Sequence, residues 1–255
     1  MDITTIFGLI MGMSAVIISF LMEGGHLGSL LQAPAMLLVI FGTLGAATVT
    51  TSFSQLKELP KLGRIILFER KHNPQELIDL IYELSQKSRK NGLLSLEKEL
   101  DNINDVFMKK AIQLAIDGFE TNKIREILEI EMSYIEERHK KGAAFFQKLG
   151  GFSPTLGIIG TVLGLIHALS NMGSSESMAK SIAAAFIATL WGVGLANLIY
   201  LPIADKLKVK HQDEALYLEI ISEGVISLAM GDNPRVIRMK LLSFLLPDKR
   251  TVEDL

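Results

Sequence analysis

Few side chains in this sequence could do chemistry, and most fail the spacing it requires. His26, His72, His139, His167 and His211 offer imidazoles, but none falls in a His-Glu-x-x-His pair or another spacing that would close a zinc site. The absence of cysteine removes disulfides, thiol nucleophiles and thiolate metal ligands. The run Gly150-Gly-Phe-Ser-Pro-Thr-Leu-Gly-Ile-Ile-Gly160 is rich in glycine, yet it lacks the Lys-Ser/Thr ending of a phosphate loop and lies among apolar residues. No metal, no cofactor and no enzyme activity is expected. Ser153 and His167 share one uncharged window, which leaves an intramembrane hydrolase open as a reading of a different class.

The remaining candidates are hydroxyls and prolines. Thr155, Thr161 and Thr189 lie in long apolar runs, where each could bond back to its own helix or line a wet path for an ion. His167 reads first as a hydrogen-bonded structural imidazole and second as a proton relay. Pro154 and Pro202 each lack the backbone donor of a helix interior, so each could kink or loosen a helix or simply punctuate it.

The elements that carry these residues follow from charge. Asp, Glu, Lys and Arg are absent from residues 3–22, 24–56, 149–175 and 181–204. A helix rises about 1.5 Å per residue, so about 20 apolar residues cross the hydrocarbon, and each window is long enough. The expected architecture is all-α, a polytopic membrane protein with four transmembrane helices and a helical cytoplasmic domain. Residues 1–56 would hold the first two spans (about 3–22 and 33–53), and 57–148 a soluble insertion. Residues 149–204 would hold the other two spans (about 151–172 and 181–203), and 205–255 a tail. Of the 26 Lys and Arg, 17 fall in 57–148 and eight after residue 204. Lys180 alone lies in a short loop between spans, which puts both termini and the insertion in the cytoplasm. The start Met-Asp-Ile-Thr-Thr has no basic n-region, so the first span is expected to be retained rather than cleaved.

The insertion pairs its 17 bases with 16 acids, so no basic stripe marks a nucleic-acid surface. Asn73-Pro74-Gln75-Glu76 reads as a capped helix start, followed by an apolar stripe of Leu77, Leu80, Ile81 and Leu84. Asn91-Gly92 is expected to end that helix, with another beginning near Ser95. Ile124, Leu128, Met132 and Ile135 keep helical spacing from Thr121 onward, and a single helix could run on into the third span. Gly8-x-x-x-Gly12 and Gly160-x-x-x-Gly164 allow close helix approach, either within one chain or between subunits. None of the four spans carries a carboxylate, the usual ion carrier in hydrocarbon.

Three stretches narrow the reading further. Pro154-Thr-Leu-Gly-Ile-Ile-Gly-Thr-Val-Leu-Gly-Leu-Ile-His-Ala-Leu, Ala185-Phe-Ile-Ala-Thr-Leu-Trp-Gly-Val-Gly-Leu-Ala-Asn and Leu201-Pro-Ile-Ala-Asp-Lys-Leu closely resemble the MotA/TolQ/ExbB proton-channel superfamily. Four spans rather than three favour its flagellar stator branch over the energy-transducing TolQ and ExbB type, which stands as the alternative ahead of a secondary transporter. The cytoplasmic Ser88-Arg-Lys-Asn-Gly-Leu-Leu-Ser-Leu-Glu97 is similar to the family's torque-generating segment. The resemblance implies a homopentamer in the bacterial inner membrane around MotB, a single-span partner whose aspartate binds the ion. It implies that Arg89 and Glu97 engage the rotor protein FliG, although spacing alone reads them as a solvated helix face. It also implies that Pro154 and Pro202 are hinges and that Thr155 and Thr189 border the ion path. The implied ion is H+, with Na+ open because Thr161 stands where a hydroxyl could serve a hard cation.

Overall fold

The computed structural model describes residues 3–67, 73–170 and 174–247, with the side chains of residues 61 and 64–67 outside that set. His72 and the last eight residues lie outside the described residues. No strand occurs among the described residues. The helices are α1 (Ile3–Met22), the single turn α2 (Leu27–Leu30), α3 (Ala33–Val49), α4 (Phe53–Leu67), α5 (Pro74–Asn91), α6 (Val106–Ile116), α7 (Thr121–Ser170), α8 (Ser175–Leu195), α9 (Leu201–Ala229) and α10 (Pro234–Leu242). A 3-10 helix, Leu93–Asn102, comes after α5, and a π-helical turn, Ala196–Tyr200, joins α8 to α9.

The chain divides into two compact units, one of residues 1–70 and 139–209, the other of 71–138 and 210–255. In the first unit, α1 has no buried residue and exposes Phe7, Ile10, Met11 and Ile18, a surface suited to lipid rather than water. Three helices are long and apolar enough to cross a membrane: Ile3–Met22, Thr121–Ser170 and the continuous Ser175–Ala229. The 17-residue α3 reaches only about 25 Å at 1.5 Å per residue. It stops at Val49 rather than near residue 53, and at that end the Thr50 and Thr51 hydroxyls both donate to the Ala47 carbonyl. Lys148 Nζ then donates to the Thr50 carbonyl at 2.7 Å, satisfying one of the acceptors a helix end leaves open.

The second unit is a water-type core. Its helix starts are capped as residue types dictate: Asn73 Oδ1 accepts from Gln75 N at 3.2 Å ahead of Pro74, and Asn233 repeats the device ahead of Pro234. Asp105 caps α6 through Met108 N at 2.8 Å. α5 ends at Asn91, where Gly92 takes φ +80°, a left-handed conformation that glycine adopts without strain. The chain then enters the 3-10 helix at Leu93 rather than the helix expected near Ser95. The buried stripe of α5 is Leu77, Ile78, Ile81 and Leu84; Leu80 is 37% exposed. At 100° per residue Leu80 lies well off the centre of that stripe and Ile78 lies within it. Ile124 and Leu128 of α7 are fully buried in the same core, with Met132 and Ile135 packed at its edge.

Candidate functional site

The hydroxyls expected to matter meet where α7 packs on α8 in the first unit. Small residues decide how close the two helices come. A Cβ built at Gly192 would lie 2.8 Å from both the Gly157 Cα and the Ser153 carbonyl. One at Gly164 would lie 2.7 Å from the Ala185 Cβ, and one at Gly160 2.6 Å from the Ala188 Cβ. Gly160-x-x-x-Gly164 therefore packs within the chain. Gly12 meets Leu198 of the same chain, whereas Gly8 has nothing within 4 Å.

Close approach places polar groups of one helix against the other. Ser153 is buried, and its hydroxyl donates to the Gly192 carbonyl at 2.8 Å. Thr161 Oγ1 has the Gly157 carbonyl of its own helix at 3.2 Å, the Ala185 carbonyl across the seam at 3.1 Å, and the Thr189 hydroxyl in hydrogen-bond contact. The hydrogens of Thr161 and Thr189 cannot serve all these acceptors at once, so the pair presents two oxygens and a rearrangeable proton between half-buried walls. Thr155 differs. It is exposed and bonds back to the Phe152 carbonyl of its own helix at 2.7 Å, so the structure brings Thr161 and Thr189 together and leaves Thr155 outside the pair.

Both prolines lie inside helices. Pro154 is within α7, and its ring would crowd the carbonyl of Gly150, where Gly150-Gly151 supplies a locally pliable backbone. Pro202 does not close a helix: α9 continues to Ala229. The wide turn over Ala196–Tyr200 lies just ahead of it and contains Leu198, the residue whose carbonyl the missing donor would have met.

The Ser153 and His167 pairing fails on geometry. Fourteen residues along the same helix separate them by about 21 Å, and the serine hydroxyl already donates to the Gly192 carbonyl. Among the described residues no group of three metal-capable side chains converges.

In the second unit, Arg89 sits in the last turn of α5 and Glu97 in the 3-10 helix, both exposed. Lys87 and Glu99, just outside them in sequence, form an ion pair at 2.9 Å across the Gly92 turn. Arg89 and Glu97 have no ion-pair partner among the described residues. The turn thus ties its own ends together with one pair and leaves Arg89 and Glu97 facing solvent. Elsewhere in this unit the Glu223 carboxylate binds Lys240 and lies 3.4 Å from Arg125. Burial alone would raise its pKa, but the Lys240 and Arg125 charges outweigh that and hold it below the ordinary carboxylate range.

Sequence reasoning misses three contributors. Ser153 reads from the sequence only as a candidate nucleophile; its spacing of four to Gly157 is the available signal for a helix seam. Trp191 Nε1 donates to the Leu30 carbonyl at 2.8 Å, tying α8 to the turn before α3, and no local pattern announces this. Thr43 is completely buried in α3, and its hydroxyl has no partner among the described residues.

Comparison with known proteins supplies the context. The family model of the MotA/TolQ/ExbB proton channel family matches residues 99–220, and that of the Motility protein A N-terminal region matches residues 6–92. The chain is 37% identical over 246 residues to Motility protein A of Bacillus subtilis (strain 168), covering 96% of this chain and 91% of that protein. It is 34% identical over 254 residues to Chemotaxis protein PomA of Vibrio alginolyticus, covering 99% of each. Among solved structures it is similar to the flagellar MotAB stator complex of Bacillus subtilis, with a TM-score of 0.93, 36% identity and 98% of both chains covered. The structure of C. jejuni MotAB gives a TM-score of 0.93 at 30% identity, again over 98% of both chains.

Proposed function

The chain belongs to the MotA/TolQ/ExbB proton channel family and is a flagellar motor stator subunit; from that premise we propose how its two units share the work. It crosses the inner membrane of a bacterium four times, with both termini and the second unit in the cytoplasm, and five copies surround two copies of MotB. The short α3 serves as the second span, at the lower end of the length that can cross a bilayer. Two contacts support the helix ends it shares a side with: Lys148 to Thr50 at 2.7 Å, and Lys206 to the Thr4 hydroxyl at 3.5 Å.

The observation that carries the ion-path reading is the Thr161 and Thr189 hydroxyl pair, set between two helices without a carboxylate in their charge-free stretches. An ion needs an acid in low dielectric, and MotB supplies it. The hydroxyls offer the ion, or the water that carries it, a place to exchange partners. H+ is the permeant ion, with Na+ the alternative that the second oxygen at Thr161 would suit. When the partner's carboxylate gains or loses charge, the stable packing against α7 and α8 changes. Pro154, Pro202 and the wide turn before Pro202 are where the helices yield. The resulting step reaches FliG through Arg89 and Glu97, whose solvent-facing charges suit a contact that is made and broken repeatedly.

Swimming speed with the cognate partner tests this directly. A protonophore that stops swimming at constant sodium supports H+; speed that tracks external sodium instead overturns that choice. Arg89→Glu and Glu97→Lys are each expected to abolish swimming with membrane insertion unchanged, and normal swimming in the double reversal would defeat the rotor assignment.

A further inference from the structure

α4 begins only three residues after α3 ends, and its two faces differ sharply. Leu56 and Leu59 turn inward beside Ala47, Phe145 and Leu149, and Leu62 closes on Gly142 of α7, where a Cβ would lie 2.9 Å from it. On the other side Phe53 is 72% exposed and Lys57 is exposed. The Lys57 ammonium stands over the Phe53 ring, 4.8 Å from its centroid. In the sequence Lys61 and Arg64 continue the same spacing. Glu58 is the one acid in the helix, about 100° around it from Lys57. Lys148 brings a further ammonium to the junction with α3 through its bond to the Thr50 carbonyl.

In water an aromatic ring on the outer face of a charged helix has little reason to stay exposed. At a membrane boundary, an apolar inner face, an outer aromatic and a run of bases describe a helix lying in the headgroup layer. The bases are drawn to anionic phosphates there, and the lysine stem covers the ring while its charge reaches outward.

We infer that the outer face of α4, centred on Phe53 and Lys57 with Lys148 at its beginning, is a docking surface for anionic phospholipid headgroups of the cytoplasmic leaflet. The leaflet rests on the four-span topology proposed above. The lipid choice rests on charge: α4 carries three bases against one acid.

The test uses the complete stator complex in nanodiscs of phosphatidylcholine with rising phosphatidylglycerol, with retained lipid read by native mass spectrometry. Wild-type complex is expected to keep phosphatidylglycerol in preference to phosphatidylcholine. Lys57→Gln should lower that preference roughly fivefold, the size expected for one base at an anionic surface, and Lys57→Arg should retain it. Equal retention of the two lipids by wild type, or no change in Lys57→Gln, overturns the docking surface. Because the chain has no cysteine, Glu58→Cys gives a single label site. Labelling only from the cytoplasmic face keeps the leaflet, whereas labelling from the outside overturns the topology and the leaflet with it.

Discussion

Where α7 meets α8, the facing residues are Ser153, Gly157, Gly160 and Gly164 on one side and Ala185, Ala188 and Gly192 on the other. In the second unit the facing residues are Ile78, Ile81, Met108, Ile112, Ile220 and Ile226. One seam is made of the smallest side chains in the chain and the other of large aliphatic ones. In water, removing a big aliphatic surface from solvent drives helices together. In lipid there is no such gain, so helices associate by bringing backbones close enough for carbonyls, hydroxyls and Cα atoms to touch. That closeness also lets Thr161 reach a carbonyl of the other helix, so the packing that joins the two helices creates the hydroxyl pair for which an ion role is proposed.

The two regions are therefore expected to fail in opposite ways. The largest effect is expected from deletion in the second unit. Ile226→Ala removes a fully buried side chain and should cost about 2–5 kcal/mol, seen as faster hydrogen exchange in α9 of the detergent-solubilised chain. Addition should be the damaging change in the first unit. Gly192→Val places its Cβ against backbone that cannot turn aside and should cost about 1–3 kcal/mol, read as a lower melting temperature and lost swimming. Gly194→Ala, with nothing within 4 Å, should stay within about 0.5 kcal/mol. A tolerated Gly192→Val would break the comparison.

A further contrast between the regions is charge, which the second unit buries only in part and only when paired. Glu223→Gln loses the Lys240 and Arg125 contacts and should cost about 1–2 kcal/mol at neutral pH, between the values for exposed and for fully buried pairs. Since the native Glu223 pKa is lowered, its stabilisation is complete above the ordinary carboxylate value. It is lost as pH falls through the lowered one. A pH titration of the melting temperature should therefore show an acid-side fall in wild type that is shallower in the variant.

Much of this is readable in the sequence. Charge-free length marks membrane helices because hydrocarbon tolerates no unpaired charge, and the caps at Asn73 and the break at Gly92 arise from local backbone chemistry. The run of α7 from Thr121 as far as Gly150-Gly151 is signalled by apolar spacing without a strong breaker, whereas its unbroken continuation past Pro154 is not, because a proline is ordinarily a breaker. Reading Leu80 into the buried stripe fails because periodicity fixes a face only to within a residue; Gly224, which admits Ile81 at its surface, helps set the final rotation. Of the readings open for Pro202, mere punctuation of a helix end fails, because a single proline can be absorbed by a widened turn.

The sequence by itself determined which segments are long and free of charge, that no carboxylate lies in them, and which charges flank the Gly92 turn. Each depends on one residue type or on neighbours a few positions apart. Only the tertiary structure decided that Thr161 faces Thr189 while Thr155 turns back on its own helix, and that Lys87 and Glu99 pair while Arg89 and Glu97 do not. It also settled that Gly160 and Gly164 pack within the chain. Those outcomes turn on a few tenths of an ångström between helices distant in sequence, and no local pattern encodes that distance.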